Sequence, residues 1–84
     1  MYTKQQLLTK AKSLGATHCR VYNISSKRGK LEPYAWYFFN KNDEEICYYI
    51  EDTYRKYGLT VLKQPKIWSQ SFKDSPKYEL INNI

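Results

Sequence analysis

The chain has 84 residues, of which 42% are hydrophobic, 17% aromatic and 26% charged, and it carries a formal net charge of +6. That length holds one small domain with a modest core and leaves no room for a second core or for a deep cavity walled on all sides. The composition excludes a disordered or fibrous chain, no apolar run approaches the roughly 18 residues of a membrane helix, and "MYTKQQLLTKAKS" lacks the apolar centre of a secretion signal, so a cytoplasmic protein is expected.

Thr3 and Gln6 have capping-box spacing, and Leu7, Leu8, Ala11 and Leu14 then recur at three and four residues until Gly15 offers a stop. This pattern predicts a helix over 4–14. Its lysines form no stripe, since Lys10 and Lys12 flank the apolar face on opposite sides and Lys4 stands where that face begins. A major-groove recognition helix is disfavoured. "ATHCRVYNI" suits a strand whose alternation puts Thr17, Cys19 and Val21 on one face and His18, Arg20 and Tyr22 on the other, the first set reading as buried. "SSKRGK" is a turn built on Gly29, and Pro33 opens a second strand, "YAWYFFN", that is apolar on both faces. Together they predict a hairpin with a charged tip.

Asn42 and Glu45 repeat the capping-box spacing, and Ile46, Tyr49, Ile50, Thr53, Tyr54 and Tyr57 trace a helical stripe that Gly58 ends. Glu51 with Arg55 and Asp52 with Lys56 add acid-first pairs at four-residue spacing, and Tyr48 falls in the middle of that charged side. A second helix over 42–57 is therefore predicted. After it "LTVLKQ" reads as a third strand broken by Pro65, "IWSQSF" as a fourth, "KDSPK" as a turn and "YELINNI" as a short element of undetermined type. The order α-β-β-α-β-β predicts a single α+β domain over residues 1–84, a two-layer sandwich in which an antiparallel sheet of three to four strands carries both helices on one face.

Seven basic residues (Lys4, Lys10, Lys12, Arg20, Lys27, Arg28, Lys30) precede the first carboxylate, Glu32, whereas the remainder of the chain is nearly neutral. Such asymmetry suggests an anionic partner for the amino-terminal third, although a chain rich in Lys, Asn, Ile and Tyr also fits an AT-rich coding bias. If both helices cover one face, the open face presents Arg20, Tyr22 and one alternate set of Tyr34–Phe39, and exposed rings beside arginine are what single-stranded nucleic acid stacks on. The opposing readings are that the segment containing Trp68 and Phe72 closes that face, or that one helix lies on each face.

The nucleic-acid-binding candidates are Arg20, Tyr22, Lys27, Arg28, Lys30 and Trp36, with nucleic acid or a nucleic-acid-binding protein as the partner and no membrane. Tyr48, on its charged helix face, is a candidate protein-interface residue, which supports an alternative function as a protein-binding inhibitor or adaptor, an accessory protein of phage or plasmid type. A third reading is a toxin-type endoribonuclease using His18, Arg20, Tyr22 and Arg28. One histidine without a fixed-spacing acid or nucleophile makes a non-catalytic module the preferred expectation. Cys19 and Cys47 read as small buried hydrophobes, and no metal or cofactor is expected. A homodimer is plausible if the aromatic strand lies at a sheet edge.

Overall fold

The computed structural model describes residues 3–51 and 58–84. Helix α1 spans Lys4–Ser13, followed by β1 (His18–Ser25), β2 (Leu31–Phe39), β3 (Glu44–Ile50), β4 (Thr60–Ile67), the single turn α2 (Gln70–Lys73) and β5 (Tyr78–Asn82). All strand pairings are antiparallel, in the order β4-β3-β2-β1-β5. The fold is α+β, as expected, with five strands rather than three or four.

Local signals account for the amino-terminal half. The capping box forms as spaced: Gln6 N–H donates to Thr3 Oγ1 at 3.2 Å and Thr3 N–H donates to Gln6 Oε1 at 2.8 Å. At the other end Ala16 N–H reaches Ala11 O and Gly15 N–H reaches Lys12 O, a Schellman closure that needs the left-handed φ of 104° at Gly15. In β1 the buried Cys19 and Val21 face the helix, where Leu7 and Ala11 meet Trp36, Phe38, Cys47 and Tyr49 in one core. Leu7 and Ala11 alone are buried along α1, so the helix contributes a narrow stripe and the sheet supplies most of the core.

The predicted second helix is not formed over 44–50. This segment is β3, with burial alternating at every second residue through Glu45, Cys47 and Tyr49. "NKND" is a hairpin loop and not a helix cap: Asn40 Oδ1 accepts from Asn42 N–H and Glu44 N–H, Asp43 N–H donates to Asn40 O, and Asp43 takes a left-handed φ of 59°. The apolar residues of "EEICYYI" satisfy a period of 3.6 and a period of 2 about equally well, and the free edge of β2 selects the strand. The rest of the predicted helix, 52–57, with the Glu51–Arg55 and Asp52–Lys56 pairs, lies outside the described residues.

Further corrections follow toward the carboxy terminus. Pro65 does not end the third predicted strand but sits within β4, in a stretch where Leu62–Pro65 stand opposite Ile46 alone, since Cys47 pairs with Val61 and Glu45 with Lys66. An edge strand tolerates proline where no ladder hydrogen bond is asked of it. "IWSQSF" is no strand; it leaves β4 at Ile67 and winds into α2. The terminal segment is β5, which pairs with β1 on its far side, Val21 opposite Glu79. β2 is thus the central strand of five and offers no edge to a second chain, which removes the ground on which a homodimer was expected; the edges belong to β4, studded with Lys63, Pro65 and Lys66, and to β5. The two helices also lie on opposite faces, α1 over Cys19 and Trp36, α2 beside Trp68 over Phe39.

Phe38 is fully buried, with Cys19 and Cys47 opposite it on the two flanking strands. A strand therefore separates the two thiols, and both remain free. Burial pushes each thiol up to about 11. Both cysteines are expected to resist a thiol-specific reagent at pH 8 in the folded protein and to react at once in denaturant, as read by mass spectrometry. Phe38→Ala is expected to lower stability by about 3–5 kcal/mol, measured as a shift in the urea midpoint.

Candidate functional site

The second sheet face carries His18, Arg20, Tyr22, Ala35, Tyr37, Phe39, Glu45, Tyr48 and Tyr78, and the chain after β4 folds over part of it. A polar cluster fixes this cover. Asp43, projected from the β2–β3 turn by its left-handed backbone, accepts from Arg20 Nη1 at 2.8 Å and Nη2 at 3.4 Å, lies 2.7 Å from His18 Nε2, and receives Lys73 Nζ from α2. His18 stacks on Phe39 with centroids 5.5 Å apart, and the Arg20 guanidinium sits 4.4 Å from the same ring on its centroid. Burial alone would raise the Asp43 carboxyl, but hydrogen bonds from Arg20, Lys73 and His18 outweigh it and hold the group well below the usual carboxylate range.

Next to this cluster lies an aromatic cleft of about 650 Å³, floored by Tyr37 and Tyr48 and walled by Ile67, Trp68, Phe72 and Tyr78. Trp68 is its keystone: its ring meets Tyr37, Phe39 and Tyr78 edge to face with centroids 5.0–5.1 Å apart, and its Nε1–H donates to Glu45 Oε1 at 2.7 Å. The rim stays apolar, with Ile67 74% and Phe72 58% exposed.

A third arrangement forms at the far end of β1 and β2. Ser26 closes the hairpin tip, its N–H donating to Lys30 O at 2.8 Å and its Oγ accepting from Arg28 N–H and Lys30 N–H, while Gly29 supplies the positive φ of 77°. Lys27, Arg28 and Lys30 are exposed and make no ion pair with any described residue. Asn23 N–H donates to Lys77 O, which brings Lys77 to this same end. Tyr22 meets Tyr34 at 6.4 Å and Tyr78 at 5.3 Å, and a cleft of about 360 Å³ opens between Tyr22, Leu31, Pro76 and Lys77.

The predicted residues are therefore divided. Tyr22, Lys27, Arg28 and Lys30 share the hairpin end. Arg20 is only 7% exposed and its guanidinium is committed to Asp43, which takes it out of reach of a phosphate backbone. Trp36 points to the helix face, buried, stacked on Tyr49 with Lys4 Nζ 4.1 Å above its ring, so it presents no face to a base. Tyr48 sits on a strand and not on a charged helix face, lining the aromatic cleft beside Tyr37. The ribonuclease set is not assembled: His18 and Arg28 stand at opposite ends of β1, separated by roughly 20 Å of strand. The seven cations of the amino-terminal third do not form one patch, because Lys10 and Lys12 stand at the carboxy-terminal end of α1, near where β1 begins, and the hairpin cations lie at its other end.

Sequence reading missed Asp43, Glu45 and Lys77. "NKND" between two aromatic-rich runs is a hairpin signal that would have placed Asp43 in a turn; nothing local could have linked Lys77 to Asn23. Among the described residues no group of three or more histidine, cysteine or acidic side chains is placed to hold a metal. Comparison with known proteins finds no matching family model, curated protein or solved structure.

Because the folded-state pKa of Asp43 lies below its unfolded value, the cluster's contribution is complete at neutral pH and is lost as pH falls below about 4. Asn tolerates the left-handed backbone, so Asp43→Asn removes the charge without straining the turn. With the carboxylate 34% exposed, the expected loss sits at the low end for buried charged pairs, about 1–3 kcal/mol at pH 7 by urea unfolding, together with a shallower acid limb.

Proposed function

We propose that this protein is a small, cytoplasmic, non-catalytic binding module that engages nucleic acid at the hairpin end of its sheet. The observation that carries this reading is the convergence of Lys27, Arg28, Lys30 and Lys77 with the Tyr22, Tyr34 and Tyr78 rings at one end of the molecule. The cations would neutralise phosphates, and Tyr34, which is 38% exposed, offers a ring for a base to stack on beside Tyr22. This narrows the expectation drawn from the whole amino-terminal third, because Arg20 and Trp36 have other work in the fold.

Single-stranded nucleic acid suits this surface better than duplex. A hairpin tip flanked by rings gives cations and a stacking partner at one point, and α1 presents no continuous basic face to lay in a groove. The exposed Ile67 and Phe72 favour a second reading, in which the aromatic surface around Tyr48 docks on a protein, such as a nucleic-acid-handling complex, and the module acts as an inhibitor or adaptor.

The test is fluorescence anisotropy with short single- and double-stranded DNA and RNA at several salt concentrations. Four phosphate contacts predict a log–log salt slope of about −3 on single strands, and a Lys27→Gln, Arg28→Gln, Lys30→Gln triple variant should reduce that slope by about 2. Absence of binding at low salt, or a slope unchanged in the triple variant, removes the reading.

A further inference from the structure

Glu45 is 4% exposed, and it stands on the second sheet face among Tyr37, Phe39, Trp68 and Tyr78. Charged side chains are seldom so buried without a cation beside them. Trp68 Nε1–H donates to Oε1, and no basic side chain among the described residues comes within ion-pair distance. Arg20 and Lys73, which lie on the same sheet face, are both turned to Asp43. Lys66 is Glu45's register partner across the β3–β4 pair and lines the cleft, yet it is exposed and makes no ion pair with any described residue.

Among the described residues the carboxylate thus has the rings of the cleft and the Trp68 indole as neighbours and no ion-pair partner. Around it stand the rings of Tyr37, Trp68 and Tyr78, inclined at 66–73° to one another, with Tyr48 and Phe72 completing the lining. Ring faces carry a negative quadrupole and attract cations, most of all cations that shed water easily. A primary ammonium is strongly hydrated and gives up its water only for several well-placed acceptors; the cleft has one carboxylate and the hydroxyls of Tyr37, Tyr48, Ser69 and Tyr78, but rings and aliphatic side chains make up most of its wall. A methylated ammonium asks only for ring faces and one anion. The Tyr37 and Tyr78 hydroxyls register that anion: their pKa values are raised by burial first, by neighbouring tyrosines next, and then by the charge of Glu45.

We infer that the Glu45 cleft, lined by Tyr37, Tyr48, Trp68, Phe72 and Tyr78, is a binding site for a quaternary ammonium group. This site shares Tyr78 with the hairpin end but none of its cations, and it stands whether or not that end binds nucleic acid. Such a group occurs as a free choline-type ligand or on a trimethylated lysine of a partner, and the same chemistry holds either.

The indole Nε1–H of Trp68 is a direct reporter, since it is bonded to Glu45. Its NMR resonance in the full chain is followed during titration with choline, with a short peptide bearing trimethyllysine, and with 3,3-dimethylbutan-1-ol, the uncharged carbon isostere of choline. A saturable shift is expected from at least one of the two cations, and whichever binds more tightly identifies the source. The isostere should bind about tenfold more weakly or not at all. Glu45→Gln retains an acceptor for Trp68 and should weaken cation binding about tenfold; Phe72→Ala, at an exposed wall position, should weaken it severalfold with the thermal midpoint unchanged. No saturable shift at about 10 mM of either cation overturns the assignment. So does equal binding of the isostere, or undiminished binding in both variants.

Discussion

A strand that is apolar on both faces has to lie in the middle of a covered sheet, and the rest of this fold follows from the way β2 meets that demand. Ala35, Trp36, Phe38 and Phe39 are all at least 95% buried, and they alternate between two faces, so neither face of the sheet can be left to water. Hydrogen-bond demand adds to this, because a central strand needs a partner on each side. β1 takes one edge through the basic hairpin and β3 takes the other through the Asn40–Asp43 loop. α1 covers Trp36 and Phe38, and the length of α1 that is buried is no more than that task requires.

The second face is closed by different means. Among the described residues Trp68 and the one-turn α2 cross it, and so thin a cover has little apolar area of its own to hold it down. Electrostatics completes the closure: Asp43 gathers Arg20 and His18 from β1 and Lys73 from α2, tying the cover to both strands beneath it. Phe39 lies under the cluster as a shared apolar base, stacked by His18 and by the Arg20 guanidinium. Residues that would have formed an open recognition platform are thus consumed in shutting the face, and what stays accessible is displaced to the two places the cover does not reach: the hairpin end, with its cations and tyrosines, and the cleft beside Trp68.

These two surfaces differ in charge and in character. The hairpin end is cationic, polar at its tip and ringed by tyrosines, with every basic group on it free of a carboxylate partner among the described residues. The cleft is apolar with one buried anion at its base. The two surfaces would therefore suit ligands of opposite charge, on a molecule with a net charge of +6. The sole histidine lies on neither surface's exposed part, being held by Asp43 and Thr17 against the Phe39 ring.

What was legible in the sequence was local. The caps of α1, the alternation of Cys19 and Val21 against Arg20 and Tyr22, and the Gly29 turn are each specified by residues within a few positions of one another, and each formed as read. The sequence by itself determined an α+β fold with a charged hairpin behind a helix. Only the tertiary structure decided that 44–50 is a strand, because its apolar residues serve either period and the choice lay with the vacant edge of β2, distant in character from anything those residues encode. It also decided which cations and rings remain at the surface. Arg20 and Lys27 look alike in one dimension, and what separates them is whether a carboxylate from another loop is folded against them.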